Sequence, residues 1–314
     1  MRFGKIPINT FLNKIPHEDC VVCPSIGEDD AYVDVEGKYL VIHSDPITEA
    51  GKNAGFLSVV VACNDVNMKG VRCRWVTTVL LLKSEDSLDN VIEGINEACK
   101  LLGCNVVGGH TEVTQGVKRD IVVTTAFSFS DKIMKLSDAK EGDYVLVFGT
   151  AGIEGTWILA NEFEEELLKK GVRAEVIKRS KGYKYKIPVQ DIALKVKDYA
   201  IAMHDATEGG VYQALLEVAK ASNLTLEVKS EIPVSEETAE IARALNINPY
   251  QLISSGCFIT VAKSPDVKKL ESIGGKVVGV LKKGEPKLII NGKSYTEDFE
   301  EELVRIESYY NGGR

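Results

Sequence analysis

Short β-branched runs alternate along this chain with longer stretches of helical spacing, which confines it to an α/β or α+β architecture. Strands are expected at 39–44, 74–82, 105–107, 121–129 and 144–148, and again at 224–229, 257–262, 276–281 and 287–290. Helices are expected at 55–68, 87–102 and 153–170, then at 188–197, 211–221, 236–245 and 296–309. Gly70 and Gly103 stand where the first two helices should stop. The texture turns polar between 131 and 143, so an N-terminal domain over 1–140 and a C-terminal domain over 141–314 are expected. A length of 314 residues suits two domains of roughly 100–200 residues each. An apolar fraction of 44% excludes a disordered chain. The longest apolar runs fall far short of the roughly 20 residues that span a membrane. The first residues offer no apolar signal region, so a cytoplasmic location is expected. A net charge of −8 with no block of Lys and Arg argues against nucleic acid as a partner.

Chemistry gathers at five places, each with an acidic residue at an element end. They are Gly27-Glu28-Asp29-Asp30, His43-Ser44-Asp45-Pro46, Asn64-Asp65, Gly108-Gly109-His110-Thr111-Glu112, and His204-Asp205-Ala206-Thr207-Glu208-Gly209-Gly210. Three of the four histidines fall inside them. Singly, each is ordinary turn or cap chemistry. If the loops converge, their carboxylates repel one another unless cations bridge them. Hard oxygen donors of this kind suit Mg²⁺ shared with substrate phosphates.

The usual phosphate cradles are missing. There is no P-loop, and the turn holding Gly149, Gly152 and Gly155 reads G-x-x-G-x-x-G rather than the dinucleotide pattern. This turn is either a tight strand–helix connection or an anion nest at a helix N-terminus, and Gly209-Gly210 carries the same two readings. The basic segment 173–186 reads as a solvated mobile loop, with a phosphate-facing loop as the alternative. Seven cysteines are scattered through the chain. Cys20 and Cys23 have metal-knuckle spacing, against which stand buried apolar thiols or a disulfide.

In order and spacing these motifs resemble the ATP-dependent superfamily of aminoimidazole ribonucleotide synthetase, which includes selenophosphate synthetase, thiamine-monophosphate kinase and the hydrogenase-maturation factor HypE. The resemblance runs from about 24 to 262. It implies an N-terminal α/β domain that dimerises through its sheet, ATP in a cleft near the subunit interface, and a C-terminal α+β domain holding the second substrate. By the same resemblance Asp29, Asp30, Asp45, Asp65 and Asp205 match metal-binding positions. Gly27, Gly108, Gly109, Thr111, Gly149, Gly152, Gly155, Thr207, Gly209 and Gly210 fall in its nucleotide-binding segments. The chain departs from HypE in having Ile153-Glu154-Gly155 in the second glycine-rich turn and no cysteine after Cys257. It lacks the N-terminal Cys-x-x-Lys signature of selenophosphate synthetase, although Gly108-Gly109-His110-Thr111 is similar to that enzyme.

The expected activity is Mg²⁺-dependent phosphoryl transfer from ATP to an oxygen of an amide, carboxamide or phosphate-type substrate, a small molecule or a protein carboxamide. His110, His204 and Glu208 are the expected acid–base or substrate-contacting groups, with structural hydrogen bonding as the alternative for each. Two other classes stand beside it: an ATP-binding scaffold or hydrogenase-maturation partner without turnover, and a metal-binding protein centred on Cys20 and Cys23.

Overall fold

The computed structural model describes residues 20–23, 25–26, 30–48 and 50–311. Its first half contains β1 (Ala31–Val35), β2 (Lys38–Ile47), α1 (Ala54–Met68), β3 (Trp75–Leu82), α2 (Leu88–Leu102), β4 (Asn105–Val113) and β5 (Ile121–Ser130). The strands form a five-stranded sheet in the order β1-β2-β5-β3-β4, antiparallel except for the β3–β4 pair. Burial alternates along β3 and β5, as expected of strands with one covered face. Val76, Leu80, Val122 and Ala126 point under α1 and α2, whereas Trp75, Val79, Phe127 and Phe129 lie on the open face.

The second half contains β6 (Tyr144–Phe148), α3 (Ile153–Glu162), α4 (Glu164–Lys169), α5 (Ala174–Lys181), α6 (Gln190–Val196), β7 (Ala202–Asp205), α7 (Gly210–Ser222), β8 (Thr225–Val228) and α8 (Glu236–Leu245). It continues with β9 (Phe258–Ala262), α9 (Ser264–Ile273), β10 (Lys276–Lys282), β11 (Lys287–Ile290), β12 (Lys293–Tyr295) and α10 (Glu302–Asn311). Its mixed seven-stranded sheet runs β12-β11-β8-β10-β6-β9-β7. One face packs on α7 through Val145, Ile259, Leu215 and Val218. The other carries the stacked rings of Phe148 and Phe258, 4.9 Å apart, and receives Met68 from α1.

Helix α1 joins the halves. All fifteen of its residues are buried, because it touches the first sheet, α2, and the β7 and α6 elements of the second half. Two polar side chains on it are satisfied across that seam: Asn64 donates to the Ile187 carbonyl (3.0 Å) and accepts from the Val189 N–H (3.1 Å).

Four expectations need correction. The strand expected at 105–107 does not stop at Gly108 but continues to Val113. The helix expected at 153–170 breaks at Phe163, whose φ of −123° and ψ of 25° leave the helical region. The C-terminal helix starts at Glu302, later than expected. The segment 173–186 is α5 followed by a 3₁₀ turn rather than an open loop. Its apolar positions Val176, Ile177 and Tyr183 are buried, and four of its cations are paired with carboxylates. Arg173 bonds Glu236 and Glu240, Arg179 bonds Glu237, and Lys184 bonds Glu97.

Candidate functional site

Strand β2 brings His43 and Asp45 to the covered face of the first sheet, since residues two apart on a strand share a face. Directly above them α1 presents Asp65. The His43 Nε2 atom lies 3.3 Å from Asp45 and 3.4 Å from Asp65, and its Nδ1 lies 3.9 Å from Asp30, just ahead of β1. Lys69, one residue beyond α1, reaches Asp30 at 3.6 Å although its side chain is only 4% exposed. From the second half come Asp205 at the end of β7 and Glu154 in the first turn of α3, both buried. The cluster therefore sits where the two halves meet, with carboxyls from Asp30, Asp45, Asp65, Asp205 and Glu154 against the cations His43 and Lys69.

That imbalance sets the protonation of the site. Burial pushes the Asp65 carboxyl well above its usual range, the charge of Asp205 adds to the rise, and His43 opposes it. Burial acts to lower the His43 imidazolium, but Asp65, Asp45 and Asp30 outweigh it and hold the ring well above its usual value. Burial likewise pushes Glu154 up to about 7, opposed by the Ser255 hydroxyl and reinforced by Asp45, Glu208 and Asp205. Two carboxylates about 4 Å apart repel by about 4 kcal/mol at an effective dielectric of roughly 20, so the chain's own two cations leave charge uncompensated.

The donor set fits a hard divalent cation. One atom each of His43, Asp45 and Asp65 lie within 4.8 Å of one another. Asp65 Oδ2, which His43 Nε2 approaches at 3.4 Å without hydrogen-bond geometry, and Glu154 Oε2 are buried and accept no hydrogen bond among the described residues. Carboxylate oxygens without donors are what Mg²⁺ takes as ligands.

Of the residues expected at a site, Asp30, Asp45, Asp65 and Asp205 come together here. Gly27 and Asp29 lie outside the described residues. His204 does not face the cluster: neighbouring residues on a strand point oppositely, so Asp205 turns toward α1 while His204 turns toward α7, 2.7 Å from Glu217. His110 is likewise on the wrong side. The pairing Asp45–Thr124–Thr78–Gly109 runs straight across the sheet, which puts Gly109 on the cluster's face and His110 on the opposite one. There His110 is exposed and lies 3.2 Å from Glu112. Glu208 is exposed at the rim of the cluster, beside the half-buried Thr207.

The expected glycines serve close approach of backbone. Gly108, Gly109 and Thr111 lie within exposed β4 rather than in a loop, and a Cβ on Gly109 (φ 151°) would stand 2.0 Å from the Thr78 carbonyl oxygen. A Cβ on Gly149 would meet the Gly256 carbonyl oxygen at 2.6 Å. Gly152 donates its N–H to Ser254 Oγ (2.7 Å) and Gly155 to the Ile253 carbonyl (2.9 Å), so both N–H groups are taken by the chain itself. The Gly209 N–H is taken by the Glu301 carboxylate at 2.6 Å, while a Cβ on Gly210 would stand 2.5 Å from the Tyr250 carbonyl oxygen. The N–H groups of Gly152, Gly155 and Gly209 are thus bonded within the chain itself.

Sequence reasoning gave no role to His43, Lys69 or Glu154. His43 stood two residues from Asp45, the spacing that puts both on one strand face. Cys20 and Cys23 are joined in a disulfide, so the metal-knuckle reading fails.

A mixed five-stranded sheet and a mixed seven-stranded one, with buried carboxylates at their junction, define a two-domain α/β protein. Residues 27–128 match the family described as AIR synthase related protein, N-terminal domain, and residues 140–288 match its C-terminal domain. The chain belongs to that family, and its fold is the two-domain fold expected from the motifs. A Methanocaldococcus jannaschii protein provisionally named for hydrogenase expression and formation is 25% identical over 256 residues, covering 77% of this chain and 73% of its own. The solved structure of AaThiL complexed with AMPPCP and TMP has a TM-score of 0.75 at 20% identity, covering 93% of this chain and 94% of that one. Hydrogenase maturation protein HypE in complex with ATP has a TM-score of 0.70 at 21% identity, over 88% and 90%. Among the described residues no helix is long and apolar enough to cross a membrane.

Proposed function

We propose that this protein is a Mg²⁺-dependent, ATP-using enzyme that phosphorylates an oxygen of an amide, carboxamide or phosphate-type substrate, either a small molecule or a protein carboxamide. The observation that carries this reading is the junction of Asp30, Asp45, Asp65 and Asp205, where Asp65 Oδ2 accepts no hydrogen bond. The ATP seen with HypE supports the choice of nucleotide. Those four aspartates, with Asp29, would hold Mg²⁺, which neutralises phosphate charge in transfer reactions. His43 and Lys69 hold the carboxylates in place before the nucleotide enters. Glu154, poised near 7, keeps or releases a proton at Oε2 at working pH. Glu208 and Thr207 stand at the rim, where a substrate would pass.

The active form is proposed to be a homodimer. Trp75, Val79, Phe127 and Phe129 leave the open sheet face apolar, and all nine residues of the edge strand β4 are exposed. An exposed edge of that length invites pairing with another copy, and burying this face would bring Gly108–Thr111 to the interface.

Phosphate release from ATP tests the proposal, measured with Mg²⁺ and candidate acceptors in the wild type and in Asp65→Ala. Acceptor-stimulated turnover that disappears in the variant supports it. Full activity without Asp65 overturns its metal role, and tight ATP binding without turnover under any acceptor favours a scaffold.

A further inference from the structure

A second set of titratable side chains is buried around α1, and it plays no part in the reading above. Cys63 lies within α1, Cys73 in the link from α1 to β3, and Cys104 between α2 and β4. Their sulfur atoms all lie within 4.8 Å of one another, and the residues are 0%, 0% and 5% exposed. Cys99, in the last turn of α2, is half-buried beside Cys104, next to this group of three.

Two helix ends bring these distant positions together. Gly70 turns the chain back after α1, its N–H bonded to the Asn67 carbonyl at 2.9 Å, and Cys73 follows. After α2 the left-handed Gly103 (φ 71°) folds Cys104 over Cys99, whose carbonyl accepts from the N–H groups of Gly103 (2.8 Å) and Cys104 (3.1 Å). The sulfurs chiefly meet other sulfurs, with one long contact from Cys73 to the Trp75 carbonyl at 3.7 Å. A helix C-terminus disfavours bare thiolates and favours a cation. Arg72 already answers part of that field, donating to the Leu102 carbonyl at 3.0 Å.

We propose that Cys63, Cys73, Cys99 and Cys104 bind one Zn²⁺ in a closed tetrahedral thiolate site that pins the ends of α1 and α2 to the β3–β4 side of the first sheet. Zinc–sulfur bonds of about 2.3 Å place tetrahedral sulfurs roughly 3.8 Å apart, within the spread of the three buried thiols. Four thiolates fill the coordination shell and leave no open position, so the site is structural and takes no substrate. Zn²⁺ enters as the thiol protons leave to solvent, with no change of oxidation state. Among the described cysteines the others are unsuited: Cys20 and Cys23 are in a disulfide, and Cys257 is buried by itself beneath the second sheet.

Elemental analysis of the full chain, purified without chelator, tests this. The expected result is about one Zn²⁺ per chain, with Cys257→Ser unchanged and Cys73→Ser at least about ten-fold lower, since even outer-shell losses cost ~10–100-fold in affinity. Should Cys73→Ser fail to fold, Cys99→Ser and Co²⁺ uptake by the wild type decide the matter. Co²⁺ should give thiolate charge-transfer bands in the wild type and weakened bands in Cys99→Ser. Asp65→Asn should keep its zinc, which separates this site from the acidic one. Wild type free of zinc and lacking cobalt–thiolate bands would overturn the proposal. So would a disulfide within the set, or metal content indifferent to both cysteine variants.

Discussion

Two buried polar clusters hang on one helix, and they are chemical opposites. Asp65 and Cys63 stand two residues apart on α1, roughly 200° around its axis, so they face different neighbours. On one side are hard oxygens, too many for the cations beside them, at a seam between two halves of the molecule. On the other are soft sulfurs enclosed within the first half. Under the proposed function the first cluster's surplus of carboxyls would be relieved by a cation and its phosphates, which suits a site that must bind and release. The second, mostly buried, suits the permanent clamp proposed for it. A helix buried on all sides can serve both, because every face has a partner to work on.

Four predictions bear on this contrast. The largest effect is expected from Asp65→Asn, which should lower Mg²⁺-dependent ATP turnover by about 10³-fold, roughly 4 kcal/mol in the barrier, while the metal-free protein keeps its melting temperature. Steady-state phosphate release and thermal denaturation read the two parts. Cys104→Ser should do the reverse, costing about 3 kcal/mol of stability by denaturant titration with little change in turnover per folded molecule. If each variant damages both properties equally, the division of labour fails.

A pH series on metal-free protein sharpens the acidic side. The Glu154 carboxyl rises from its usual 4.5 to about 7 in the folded chain, so the folded state holds the extra proton. Its contribution to stability is complete below about pH 4.5, is lost as the pH climbs toward about 7, and changes no further above that. At about 1.4 kcal/mol per pH unit the fall is on the order of 3 kcal/mol. Glu154→Gln should flatten it, and an unchanged slope in that variant would remove Glu154 as the cause. The smallest effect belongs to His204→Gln. Losing the contact with Glu217 should cost about 1 kcal/mol in chemical denaturation and leave turnover within about two-fold.

Much of the fold was legible because strand and helix periods dominate where one face is buried. The runs containing Trp75–Leu82 and Leu88–Leu102 are plain examples. Elements fixed by long-range pairing were less visible. The glycines at 108 and 109 read as the end of a strand, yet β4 continues through them because β3 supplies its hydrogen bonds. The basic stretch 173–186 read as loop because its helix is secured by carboxylates on α2, α4 and α8, distant in sequence. At the acidic cluster the aspartates were read as metal-binding positions, whereas His43, although inside one of the motifs, and Lys69 and Glu154 were given no role. Glu154 and Lys69 reach the cluster only through tertiary packing, which local spacing does not carry, whereas His43 shares a strand face with Asp45. The clustering of Cys63, Cys73 and Cys104 was unreadable for a like reason, since helix ends rather than a short motif unite them.

The central claim, that the gathered aspartates bind nucleotide through a divalent cation, is tested most directly by calorimetric titration of ATP into wild type and Asp65→Asn, each with and without Mg²⁺. The account predicts wild-type binding that requires Mg²⁺ and is lost or made Mg²⁺-independent in the variant. Equal ATP affinity with and without Mg²⁺, or unchanged Mg²⁺-dependent binding in Asp65→Asn, would contradict it.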